Sequence, residues 1–107
     1  MIIGVAGPYT ADTELKKKAN LDAMNTAAAR LLEIGHIPLI GMNAALPVIE
    51  KADIEDKYKA VMEISLAVID SCEGILILGD SPGVSKELEL IKSKGLPVYY
   101  NIEDVPK

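Results

Sequence analysis

Gly79-Asp80-Ser81-Pro82-Gly83-Val84-Ser85-Lys86-Glu87, entered from the unbroken apolar run Ile75-Leu76-Ile77-Leu78, reads as a strand, a tight loop and the start of a helix. An apolar run without alternation marks a strand covered on both faces, as in a parallel sheet. Ser81 is placed to cap the new helix through its hydroxyl. Pro82 suits the first helical position because its missing N–H costs nothing there, and Gly83 lets another group approach the backbone closely. Amides of the first turn then face outward with the positive helix end behind them, which attracts anions. The stretch has two readings. One is ordinary capping beside a solvated Glu87, like Glu89 next to it; the other is a carboxylate at an anion site, a catalytic arrangement. The helix end favours the ionised form of Glu87, whereas burial opposes it.

Working outward, Ile2 to Ala6 is a second apolar run without alternation, stopped by Gly7-Pro8-Tyr9-Thr10. Thr10 or Asp12 is expected to cap the helix that follows, where Leu21, Met24, Ala28, Leu31 and Leu32 recur at helical spacing and Gly35 ends the pattern. Lys16, Lys17 and Lys18 read as a solvated face of that helix. His36 to Ile40 is a strand that Pro38 assigns to a sheet edge. Gly41 to Asp53 is irregular and is expected to be a loop with a short helical turn. Ile54 to Ser71 reads as a helix with Ile54, Tyr58, Val61, Met62, Leu66 and Ile69 on one face. Gly74 to Leu78 is a strand, Pro82 to Lys94 a helix ended by Gly95, Pro97 to Tyr100 the last strand, and Asn101 to Lys107 a short polar tail.

Strands alternating with helices predict an α/β fold, a doubly wound, Rossmann-like parallel sheet of four strands in the order 2-1-3-4 with helices on both faces. Residues 1–107 then form a single domain. In that order the chain reverses direction between the first and third strands, and ligands bind beyond the carboxyl ends of the strands at such a reversal. The loops meeting there are Gly7 to Thr10 and Gly79 to Gly83.

Composition narrows the chemistry. The chain of 107 residues is half hydrophobic and a quarter charged, with a net charge of -5. A nucleic-acid polymer needs a basic stripe, so it is not an expected partner. Backbone amides can still hold a phosphorylated small molecule. The single cysteine, Cys72, reads as a small core residue, and the single histidine, His36, as a surface or strand-edge residue. One of each cannot assemble the usual zinc sets, and neither a metal nor a cofactor is expected. No signal peptide or membrane span is read, which makes a cytoplasmic protein the expectation and a membrane partner an unexpected one. The motifs G-x-G-x-x-G, G-x-x-x-x-G-K-[ST] and G-x-S-x-G are all missing, which removes the dinucleotide, P-loop and serine-elbow mechanisms.

The crevice that remains offers Glu87, backbone amides, the hydroxyls of Thr10, Ser81 and Ser85, and the ring of Tyr9, which either contacts a ligand or packs on the first helix. An ionised carboxylate in such surroundings suits attack on a sugar carbon that develops positive charge. Ala6-Gly7-Pro8-Tyr9-Thr10, Gly35-His36 and Ser81-x-Gly83-Val84-x-x-Glu87 together resemble the nucleoside 2-deoxyribosyltransferase superfamily, which includes the deoxynucleoside 5'-monophosphate N-glycosidases.

The resemblance implies that Glu87 is the nucleophile that attacks C1' of the deoxyribose. It also implies that Gly7, Pro8, Tyr9, Asp80, Ser81, Gly83 and Ser85 contact the substrate, Ser81 and Gly83 at the 5' end of the sugar. Ser81 leans the expectation toward a monophosphate, since the nucleoside branch carries an aspartate there. Relatives carry a tyrosine where this chain has Ile3. With no Trp or Phe present, a base would stack on Tyr9, Tyr58 or Met42, or on a neighbouring subunit, and Asp80 is the nearest acid for the leaving base. The resemblance further implies a small-molecule nucleoside or nucleotide as ligand and a homodimer or higher homo-oligomer, with the apolar face of Ile54 to Ile69 available for the contact. The alternative is a module of the same fold that binds or senses a nucleotide without turning it over.

Overall fold

The computed structural model describes residues 1–107. Four strands, β1 (Ile2–Ala6), β2 (Ile37–Leu39), β3 (Gly74–Ile77) and β4 (Val98–Tyr99), form one parallel sheet in the order β2-β1-β3-β4. Four helices accompany them: α1 (Glu14–Glu33), α2 (Gly41–Lys51), α3 (Lys57–Asp70) and α4 (Pro82–Ser93). A short 3-10 turn, Ile102–Asp104, follows β4. The expected fold and strand order are therefore present, with Pro38 on the edge strand and Ile3 of β1 paired to it on one side and to Gly74 on the other.

Side-chain alternation along the strands divides the core in two. Ile3, Val5 and Leu76 point to one face, where Met24, Ala28 and Leu31 of α1 cover them. Ala6, Ile75 and Ile77 point to the other, against Ile69 of α3 and Val84 and Ile91 of α4. Both strands that carry the crevice loops are thus held from both sides, which leaves the loops at their carboxyl ends on a rigid base.

The helix boundaries follow their caps. Thr13, and neither Thr10 nor Asp12, caps α1 by accepting a hydrogen bond from the Lys16 amide at 3.1 Å. Asp12 pairs instead with the Lys16 ammonium at 3.0 Å. Within α1, Leu31 is fully buried while Leu32 is exposed, because adjacent positions point about 100° apart on a helix and only one of them faces the sheet. Asp56 caps α3 through the Lys59 amide at 3.0 Å, so Ile54 lies outside the helix and is exposed. Gly35 and Gly95 follow α1 and α4 at φ of 99° and 70°, the left-handed conformation that a helix stop of this kind uses.

Three further sequence expectations are corrected. Gly41 to Lys51 is a full helix of 11 residues rather than a loop with one turn. Its first residue follows Ile40, which supplies no side-chain cap, and Pro47 removes one bond of its ladder, so neither end nor middle carries a local helix signal. What holds it is tertiary: Gly41, Ala45 and Ile49 form a buried face, and Gly41 stands against Ser65 of α3.

The second correction is His36, which stands just before the edge strand β2 but is buried rather than on the surface. Its Nδ1 accepts from the Met1 amino group at 3.1 Å, and its Nε2–H donates to the carbonyl of Pro106. The third concerns the tail, whose Val105 is buried in the α1-side core beside Ile3 and Leu31.

Candidate active site

At the carboxyl ends of β1 and β3 the two connecting loops come into contact. A Cβ on Gly79 would stand 3.1 Å from Cδ of Pro8, so the missing side chain is what lets them approach. Between them and the ends of α2 and α3 opens a crevice of about 400 Å³, within the range of roughly 300–1,000 Å³ common for small-molecule sites. One side is Gly7, Pro8, Tyr9 and Thr10; the facing side is Asp80, Ser81, Pro82, Gly83 and Val84. Met42, Tyr58 and Met62 make an apolar wall, and Glu87 completes the lining.

The start of α4 is built as its sequence dictates. Ser81 is extended, at φ -164°, and its Oγ accepts from the Val84 amide at 3.1 Å while its carbonyl accepts from the Ser85 amide at 2.9 Å. Capping therefore consumes the Val84 and Ser85 amides. Those of Asp80, Ser81 and Gly83 have no backbone partner, and the Ser81 hydroxyl proton is free to be donated. No lysine or arginine lines the crevice, so an anion there is received by these groups and the helix end alone.

Glu87 lies on the second turn of α4 and is only 6% exposed. No protein donor or cation engages its carboxylate. Burial pushes the carboxyl up to about 7, so desolvation outweighs the pull of the helix end. Glu89, by contrast, is exposed. A carboxyl group that is desolvated, unpartnered and open to a cavity is a candidate functional group.

Of the site residues expected from sequence, Glu87, Gly7, Pro8, Tyr9, Asp80, Ser81 and Gly83 are brought together. Ser85 is not: it is exposed and shares a different surface with Leu88, Glu89 and Lys92, because it sits two positions from Glu87 on a helix and points to another side. Both Tyr58 and Met42 reach the crevice, Tyr58 with the Lys86 ammonium 5.4 Å from its ring centre. Met62 was not foreseen as a lining residue, although its place four residues after Tyr58 puts both on one side of α3. Ile3 points into the α1-side core.

Of the apolar face of Ile54 to Ile69, Met62 and Ile69 are buried inside the chain, whereas Ile54 and Tyr58 are exposed. Nowhere do three or more histidine, cysteine or acidic side chains gather as metal ligands would. No helix is long and apolar enough to cross a membrane. Compared with known families, residues 1–100 match the one described as a domain of unknown function, DUF4406. No curated protein matches the chain.

Proposed function

The chain belongs to the DUF4406 family, whose description names no activity, and we propose that its crevice cleaves or transfers the N-glycosidic bond of 2'-deoxynucleosides or their 5'-monophosphates. The observation that carries this reading is Glu87, almost wholly buried, free of protein partners and open to a cavity of nucleoside size. The lining holds two unlike kinds of group. Unpaired amides and the Ser81 hydroxyl suit the 5' substituent of the sugar; Tyr9, Tyr58, Met42 and Met62 suit the flat face of a base.

In the first step an oxygen of ionised Glu87 bonds to C1'. The bond from C1' to the base nitrogen breaks, and its electron pair leaves with the base, which takes up a proton from solvent or from Asp80. In the second step water, or the nitrogen of another base, bonds to C1' and the ester bond to Glu87 breaks, returning the electron pair to the carboxylate. The attacking water gives its proton to solvent. Glu87 attacks in the first step only when ionised, and near neutral pH about half of it is.

Chromatography for free base after incubation with the deoxynucleosides and their 5'-monophosphates tests the proposal, with Glu87→Ala as control. Release by the wild type and not by the variant is the expected result. Equal release by both rules out the mechanism. No release, together with a raised melting temperature in the same compounds, identifies the nucleotide-binding module instead. A homo-oligomer in which a second copy covers the open side of Tyr58 belongs to the same proposal.

A further inference from the structure

The wall of the crevice formed by the loop after β1 hangs on one hydrogen bond. From Pro8 to Asp12 no backbone amide or carbonyl pairs with another backbone group. Among side chains only Asn20 reaches this backbone, its Nδ2 donating to the Tyr9 carbonyl at 3.0 Å. The loop has little behind it. On its far side Gly7, Pro8, Asn20 and Leu78 border a smaller cleft of about 200 Å³, so Gly7 and Pro8 form a thin partition between two cavities.

Asn20 stands on the second turn of α1, half-buried. Asparagine is a poor residue for a helix interior, so its worth here is non-local. α1 itself is anchored by Met24, Ala28 and Leu31 in the core, which makes Asn20 a fixed post for a loop whose backbone has no other hydrogen bond.

We propose that Asn20 is a positioning residue of the crevice, holding the Gly7–Thr10 wall at its distance from Glu87 through the Tyr9 carbonyl. The proposal rests on the reading of the crevice as a deoxynucleoside or deoxynucleotide site. Asn20 touches no substrate; it acts through Tyr9, whose ring packs against the α1-side core and lines the crevice. Without the bond the partition yields toward the smaller cleft, and the ligand loses a wall before the reacting atoms lose theirs. Binding weakens while the chemical step keeps its rate.

Two variants separate this from a general structural role. Asn20→Asp keeps the size and places an acceptor against the Tyr9 carbonyl; Asn20→Gln keeps a donor on a longer arm. For base release from a deoxynucleoside 5'-monophosphate, Asn20→Asp is expected to raise KM about tenfold with kcat little changed, and Asn20→Gln to recover much of the loss. Cleavage by chymotrypsin after Tyr9, followed by mass spectrometry in the absence of ligand, reads the loop directly. It is expected to quicken several-fold in Asn20→Asp and to return toward the wild-type rate in Asn20→Gln.

Unchanged cleavage in Asn20→Asp overturns the proposal whether or not the protein releases base, and so does a fall in kcat at constant KM. If the wild type neither releases base nor is stabilised by the nucleotide, the functional reading fails. The cleavage rates then still decide whether Asn20 sets the loop.

Discussion

Gly41 lies so close to Ser65 that a Cβ on Gly41 would come within 2.7 Å of the Ser65 Cβ and 2.8 Å of its Cα. The Ser65 hydroxyl at this crossing is wholly buried and has no hydrogen-bond partner. The contact seats α2 on α3, and through it brings Met42 and Met62 into the lining of one crevice. Gly41→Ala is expected to destabilise the protein by about 1–3 kcal/mol, because backbone on α3 must move to admit the methyl group. Ser65→Ala keeps the Cβ and removes an unsatisfied hydroxyl, so it is expected to stabilise by about 1 kcal/mol. Urea unfolding of the two variants checks both signs.

Glu87 makes stability depend on pH in the direction opposite to that of a salt-bridged carboxylate. The folded protein retains the Glu87 proton up to about pH 7, whereas the unfolded chain releases it near 4.5. Between those values the folded state binds more protons, so stability falls as pH rises across the window and is lowest above it. The full effect is about 3 kcal/mol. Glu87→Gln loses no protein partner and is expected to melt about 10 °C above the wild type at pH 8, with the gap closing below pH 5. Equal melting temperatures at pH 8 would place the carboxyl in water.

The same group sets the pH profile of the proposed reaction. A nucleophile must be ionised, so kcat/KM for base release is expected to rise tenfold per pH unit below about 7 and to level off above it. A rate constant across pH 5 to 8 would show that an ordinary, solvated carboxylate or some other group does the work.

Ser81 caps α4, and the proposed function adds a binding role that substitution can part from it. Ser81→Ala loses the cap on Val84 and is expected to cost about 1 kcal/mol, read as a drop in melting temperature. Ser81→Asp keeps a capping oxygen and adds a negative charge beside the unpaired amides. It is expected to melt near the wild type yet to lose stabilisation by deoxynucleoside 5'-monophosphates, with nucleosides less affected. Stabilisation by the monophosphate that survives in Ser81→Asp would move the phosphate away from this helix end.

Much of this protein was legible along the chain because its signals are local. The runs Ile2 to Ala6 and Ile75 to Leu78, the caps and stops at Ser81, Gly35 and Gly95, and Pro38 in the second strand are short-range statements about backbone conformation. Together with the handedness of crossovers they were enough for the sheet order and for the meeting of the two loops. Ser81 and Glu87 could be placed at the mouth of these loops on the same ground, since a helix start and a position on its second turn are set by adjacent residues.

What the sequence by itself determined, then, is the sheet and the identity of the loops that meet at its reversal. Only the tertiary structure decided that α2 is a helix, that Ser85 turns away from the crevice, that Asn20 ties down Tyr9, and that Glu87 is buried far enough to hold its proton near neutrality. Each depends on what stands opposite in space. An uncapped, proline-containing segment becomes helical because Gly41, Ala45 and Ile49 find an apolar surface to cover. A carboxyl group changes its affinity for a proton because the folded chain displaces the water around it. Desolvation is a property of the assembled surroundings, and no window of neighbouring residues contains it.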